Sequence, residues 1–397
     1  MSPDDLKDLS DWLIDGARSA PVPTDLMARS CERLVAAGLP LWRVGVFLRT
    51  LHPDIFGRNF IWRPGAEVEV GSVDFDIQSS PQFVSSPLAI VFQEGREVRR
   101  RIGEPDDSRF PILDDMRAEG VTDYIAMPIF YADGSIHASS WTTKAPGGFS
   151  DEHLAALRQL LPPLARIIEI VSLRRTATIL LDTYVGNRAG ERILAGQIRR
   201  GHTETMNAVI WLSDLRGFTR LSDRLPSEIV VDILNRYFDC QVEAIKRRGG
   251  EILKFMGDGL LAVFPVTGDN AAEICGQVLE AVHECRASVA DLVYSEGGHT
   301  VERFRFGLAL HIGTVLYGNV GGGNRLDFTC IGPAVNLAAR LEKIAGSLHR
   351  TVVASASFAQ LCESADWSDL GEFPIAGFAR AERVFGLKDE SPAPPSP

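Results

Sequence analysis

The chain has 397 residues, 45% of them apolar and 23% charged, with a formal net charge of −11, the profile of a soluble globular protein with room for two or three domains. The acidic balance excludes nucleic-acid binding through a general basic surface. No apolar stretch reaches the length of a membrane span, and the acidic, amphipathic start MSPDDLKDLSDWL is no signal peptide. Six dispersed cysteines, with no CxxC pair and no Cys/His cluster, fit a reducing compartment, so the expectation is a cytoplasmic protein.

Residues 1–172 read as one amino-terminal α+β domain. LMARSCERLVAAG is an amphipathic helix stopped at Gly38, LWRVGVFLRTLH is a strand, and DYIAMPIFYADGSIHASSWTT holds further strands about an ADGS hairpin turn. Helical periodicity resumes at a Ser150 cap in SDEHLAALRQLLPPLARIIEIVSLRR, where Pro162 and Pro163 are expected to kink or restart the helix. Cys31 and the isolated His52, His137 and His153 read as structural or surface residues rather than bilin or haem anchors. Residues 173–206 stay helical and polar-patterned, weakened as a rod by Gly186, Gly190 and Gly196. They form a connector, either a plain spacer or a helix that pairs with a second copy and transmits a signal.

Residues 207–388 alternate strand and helix. AVIWLS is a strand, SEIVVDILNRYFDCQVEAIKRR a helix, and ILKF and LLAVF are two strands about the turn MGDG. NAAEICGQVLEAVHECRASVADL is the next helix, RFRFGLALHIG and RLDFTCIG are strands, and AVNLAARLEKIAG is a helix with Gly346 at its end. Helices interleaved with mostly antiparallel strands predict a ferredoxin-like α+β core. The tail, residues 389–397, is rich in proline and serine and is expected to be disordered.

Asp214 ends the first strand of this core and Asp258 sits in the hairpin turn of the next two. An Asp-Gly turn needs its acid for geometry alone. In a ferredoxin-like sheet, however, the two carboxylates can project from one edge, which suits a pair of Mg²⁺ ions working on a phosphoryl group. Asn336 and Arg340 lie four apart on one helix, hence on one face. By itself such a pair is ordinary helix surface; beside the carboxylates, Asn can fix a sugar and Arg can stabilise charge on a pentavalent phosphorus.

In order, SDLRGFTRLSD, LKFMGDGLLAVF, LHIGTVLYGNVG and FTCIGPAVNLAARLE resemble the motifs of the class III nucleotidyl cyclases, over nearly half the chain. The resemblance implies two metal ions, Mg²⁺ or Mn²⁺, on Asp214, Asp258 and the backbone carbonyl of Leu215. It implies a base-selecting pair at Lys254 and Thr329 and transition-state residues at Asn336 and Arg340. It also implies a homodimer with composite sites, one chain giving the metal carboxylates and its partner the other four residues. Lysine only donates, whereas a Thr hydroxyl also accepts. Lys254 therefore matches adenine N1 and Thr329 its exocyclic amine, so the substrate implied is ATP and the product cyclic AMP. Thr at the second position resembles the subgroup with bacterial and bicarbonate-responsive members. Phe378 stands where some members carry a phosphate-contacting lysine, with Arg380 nearby, so the pyrophosphate contacts stay open.

The amino-terminal domain resembles a GAF-like sensor by layout alone, with a PAS-like, an unrelated α+β or a purely dimerising module as alternatives; its signal, a small molecule or a protein, is unnamed. For the carboxy-terminal domain the alternatives are a guanylate or mixed-specificity cyclase and a catalytically silent scaffold. A polymerase-like palm lacks its basic stripe here, and a diguanylate cyclase lacks its Gly-Gly-acidic-acidic-Phe motif.

Overall fold

The computed structural model describes residues 2–102, 110–323, 325–362 and 365–390. The chain divides into two units, residues 1–180 and 181–397.

The first unit is built on an antiparallel sheet of β1 (Arg43–Arg49), β2 (Gly57–Trp62), β3 (Glu69–Val73), β4 (Val98–Arg101), β5 (Asp123–Phe130) and β6 (Ile136–Thr143), in the order β3-β2-β1-β6-β5-β4. The expected hairpin joins β5 to β6: Asp133 Oδ1 accepts from the Ser135 N–H at 2.8 Å, and Gly134 takes a φ of 85°. Side chains alternate along β5 as strand geometry requires. Ile125, Met127 and Ile129 join a core with the helices Pro3–Ile14, Pro23–Ala36 and the first half of Asp151–Val185. Tyr124 and Ala126 face the other side, against Pro87–Glu94 and Ile112–Ala118.

The helix Asp151–Val185 runs through Pro162 and Pro163, so of the two expected outcomes a restart does not occur. Leu160, Leu161, Leu164 and Ala165 around the prolines are all buried in the core, and that burial holds the helix across the two missing N–H donors. The helix then carries Ile170, Leu173, Leu180 and Tyr184 exposed to solvent.

The second unit opens with the helix Asn187–Leu194, after a break at Gly186, whose φ is 87°. The stretch read as a connector is thus shared between two helices and the start of a strand. Ala189 is fully buried among Ile210, Tyr317 and Phe328, and the guanidinium groups of Arg188 and Arg192 lie 5.5 and 5.4 Å from the centre of the Tyr317 ring. The Tyr317 hydroxyl donates to Glu251 Oε1 at 2.7 Å.

The strands of this unit are β7 (Thr203–Leu215), β8 (Glu251–Met256), β9 (Gly259–Val266), β10 (Tyr294–Glu296), β11 (His299–Val301), β12 (Phe306–Gly322), β13 (Arg325–Ile331), β14 (Val352–Ser355), β15 (Trp367–Phe373) and β16 (Glu382–Leu387). The main sheet runs β15-β16-β14-β12-β7-β9-β8, with β13 paired to β12. Its β12-β7-β9-β8 part is the 4-1-3-2 order of a ferredoxin-like core, with Ser227–Arg247 after the first strand and Ala271–Asp291 after the third. Val209 and Trp211 of β7 face those two helices. Ala208, Ile210 and Leu212 face the other way, toward Ala334 and Ala338 of the helix Pro333–Ser347.

Gly346 does not end that helix; it lies inside it, for a reason given below. At the carboxy-terminal end, Asp389 pairs with Arg286 at 2.9 Å and Glu390 Oε2 accepts the N–H groups of Thr351 and Val352 at 3.1 and 3.2 Å. These first two residues of the expected tail are therefore held in the fold, and residues 391–397 lie outside the described ones. No helix among the described residues is long and apolar enough to cross a membrane.

Because Ala189 is part of the core of the second unit and its neighbouring arginines pack on Tyr317, where the chain is cut matters. A truncated chain starting at residue 200 is expected to melt roughly 5 °C below one starting at residue 181, measurable by differential scanning calorimetry.

Candidate active site

Register places the two acids. β7 pairs antiparallel with β9, with Asp214 opposite Gly259, so Asp258 in the preceding turn lies beside Asp214. The Leu215 N–H donates to the Asp258 carbonyl at 3.3 Å and ties the strand end to the turn. Gly257 takes the left-handed φ of 66° that this two-residue turn requires. Both carboxylates are half-buried. Burial, and after it the neighbouring charge of Asp214, pushes Asp258 up to about 6. Two oxygen-only side chains this close match a hard divalent cation, which takes its remaining oxygens from water and substrate phosphates. Among the described residues no cluster of three or more His, Cys, Asp and Glu forms an all-protein metal cage.

A third acid was not legible in the sequence. Glu342 lies on the helix Pro333–Ser347, is buried, and pairs with Arg216 at 2.8 Å. Burial raises its pKa, Arg216 opposes that rise, and Asp214 adds to it. Arg216 reaches Glu342 through a slot between two glycines. A Cβ on Gly307 would lie 1.9 Å from the guanidinium, and one on Gly346 would lie 3.0 Å from it. Gly346 is therefore needed for space rather than for a helix stop. The arginine keeps Glu342 compensated two residues beyond Asp214 in sequence.

Lys254 projects from β8 and forms an ion pair with Asp327 of β13. The β12–β13 ribbon brings Phe328 and Cys330 into one cluster with Leu253 and Leu261, which is how β13 reaches β8. Thr329 is buried and stands two residues from Asp327, on the same side of β13. The structure thus brings Lys254 to Asp327, two residues before Thr329 on β13. Asp327 is a second residue the motif reading passed over; its signal was its place two positions before Thr329.

Asn336 and Arg340 are both exposed, while Leu337, Ala338 and Leu341 bury the opposite face of their helix. Among the described residues neither side chain has a partner within its own chain. Phe378 packs partly buried beside Ile375, and Arg380 is exposed. Trp211, in the strand that ends at Asp214, is fully buried and donates its indole N–H to Gln241 Oε1 at 3.2 Å.

A ferredoxin-like sheet whose first strand and adjoining hairpin present paired carboxylates is the arrangement expected from the sequence motifs of a nucleotidyl cyclase catalytic domain. Residues 202–388 match the family described as "Adenylate and Guanylate cyclase catalytic domain", and this chain's carboxy-terminal domain belongs to that family. The chain is 33% identical over 149 residues to the adenylate cyclase of Anabaena cylindrica, covering 36% of this chain and 28% of that protein. It is 31% identical over 178 residues to adenylate cyclase 1 of Rhizobium meliloti (strain 1021), covering 43% and 25%. The match therefore spans about a quarter of the length of these relatives. Among solved structures, the adenylyl cyclase CyaB from P. aeruginosa is 25% identical with a TM-score of 0.41, covering 48% of this chain and 97% of that one.

Two outcomes follow from the electrostatics. With its folded pKa above the unfolded one, Asp258 contributes stability that is present below about pH 3.8 and lost as pH rises toward about 6. In metal-free protein, Asp258→Asn is expected to remove that loss and raise the melting temperature at pH 7 by about 2 °C. Gly307→Ala should evict the Arg216 guanidinium and cost about 2 kcal/mol. In a double-mutant cycle by urea unfolding, Glu342→Gln should relieve most of that cost, since no buried charge is then stranded.

Proposed function

We propose that the chain is an adenylate cyclase that converts ATP to 3′,5′-cyclic AMP and pyrophosphate. The observation that carries this reading is the Asp214–Asp258 carboxylate pair at the end of β7. The ribose 3′-oxygen attacks the α-phosphorus, the α–β bridging P–O bond breaks, pyrophosphate leaves, and the 3′-hydroxyl proton passes to solvent. Asp214, Asp258 and the Leu215 carbonyl would hold two Mg²⁺ or Mn²⁺ ions, which when bound acidify the 3′-hydroxyl and neutralise phosphate charge. Lys254 donates to adenine N1 and Thr329 accepts from the exocyclic amine. Asn336 orients the ribose, and Arg340 stabilises charge at the α-phosphate. Positioning and electrostatics supply the acceleration, with no side chain acting as general base.

The working form in this reading is a homodimer with two composite sites. Two features support it. Asn336 and Arg340 are exposed and have no side-chain partner among the described residues. The exposed Ile170, Leu173, Leu180 and Tyr184, with the exposed Ala177, repeat at alternating steps of three and four along one helix, the seam of a two-stranded coiled coil. The amino-terminal unit is then a sensor that regulates the catalytic pair.

A second reading is GTP use. Asp327, beside Lys254, offers a carboxylate that could accept the N1–H of guanine, a donor the lysine alone would repel.

Product formation by the full chain, with ATP and GTP in parallel and Mg²⁺ or Mn²⁺ supplied, tests both readings. Cyclic AMP is expected, and Asp258→Ala should abolish it. Lys254→Ala should lower kcat/KM for ATP by about 10- to 100-fold. Cyclic GMP in equal yield would transfer the assignment to the second reading, and neither product would leave a silent scaffold. Mixing the inactive Asp258→Ala and Arg340→Ala chains should restore about a quarter of the sites, because half the dimers are mixed and each has one intact site. No recovery on mixing would overturn the composite-site arrangement.

A further inference from the structure

In the first unit a cavity of about 70 Å³ lies between the sheet and two helices. Its walls include Leu26 and Met27 of the helix Pro23–Ala36, Val46 of β1, Phe60 of β2, Trp141 of β6 and Ile168 of the helix Asp151–Val185. The hydroxyl of Ser30 at its edge is already spent on the Leu26 carbonyl at 2.6 Å, and that of Thr50 on the Ile55 carbonyl at 3.1 Å. The interior therefore offers an occupant almost nothing but apolar contact, and such cavities bind apolar molecules rather than water.

Arg58 of β2 and Arg175 of the long helix also line this cavity. Among the described residues neither guanidinium has an acid or carbonyl partner. The two repel: burial, and after it the charge of Arg175, lowers the pKa of Arg58. Two uncompensated guanidinium groups beside an apolar hole are left without the anion that each is built to bind in bidentate fashion.

We propose that this cavity is a binding site for a small apolar monocarboxylate, its carboxylate held between Arg58 and Arg175 and its hydrocarbon body inside. The volume fixes the size: 70 Å³ admits roughly five to seven water-sized groups, a benzoate or hexanoate rather than a long acyl chain. The apolar walls exclude a second charge. Leu164, Ile168, Ser172 and Arg175, which line the site, fall on one face of the helix Asp151–Val185, and the exposed row from Ile170 to Leu180 falls on the opposite face. An occupant thus touches the inner face of the helix whose outer face is unpartnered. The site does not depend on the cyclase reading.

Isothermal titration of the full chain with benzoate and hexanoate, against hexan-1-ol and hexylammonium, tests it without reference to ATP turnover. The expected result is saturable binding of one carboxylate per chain, at least about tenfold weaker binding of the alcohol, and none of the ammonium. Arg58→Gln with Arg175→Gln should weaken the carboxylates at least about tenfold, and these substitutions at the cavity rim leave the core packing intact. Ile168→Trp should fill the hole and abolish binding in a chain that still melts cooperatively. No saturable carboxylate binding, binding indifferent to both arginine substitutions, or equal binding of hexylammonium would overturn the proposal.

Discussion

Two acids held at neighbouring backbone positions, Asp214 and Asp258, set the terms for the second unit. Asp214 is fixed by its place at the end of a central strand, and Asp258 by a turn whose register is locked to that strand. The pairing of β7 with β9 keeps their backbones side by side, so their repulsion is built into the fold and is relieved by a proton or a cation. The surroundings respect that limit. The nearby Glu342 has its own arginine and does not add a third uncompensated charge. Stability is thus given up at the one point where a dication would return it, the trade expected of a site that a ligand completes.

Much of this was legible in the sequence. Strand and helix periods from Ala208 onward gave the order of elements, and the Gly257 turn placed Asp258 next to Asp214. Those signals are local: a turn residue, an alternation, a four-residue helical step. What could not be read depends on contacts far apart in the chain. Arg216 meets Glu342 across more than a hundred positions, through space left by Gly307 and Gly346, and no local pattern marks such a slot. Lys254 was singled out, but its ion pair with Asp327 depends on how the β12–β13 ribbon reaches β8. Pro162 and Pro163 do not restart their helix because local propensity is outweighed by the burial of the leucines around them.

The amino-terminal half was less legible for a related reason. Its sheet order places β1 between β2 and β6, a pairing across about a hundred residues that alternation alone does not reveal. Arg58 and Arg175 come together only through that sheet and the long helix packed on it, and in sequence each is an isolated basic residue. The same helix carries both an inner wall and an exposed outer row, so its residues answer to two constraints at intervals of three and four.

The slot that Arg216 occupies constrains how this chain can change over time. Alanine at position 307 displaces the arginine and alanine at 346 crowds it, and losing the arginine first strands the acid at 342. Substitution at the acid is the one opening step that leaves no buried charge alone, and only after it does the arginine become dispensable and the glycines free. The order of replacements is therefore contingent: four positions spread over 131 residues of chain, from 216 to 346, would drift as a linked set with a preferred first move.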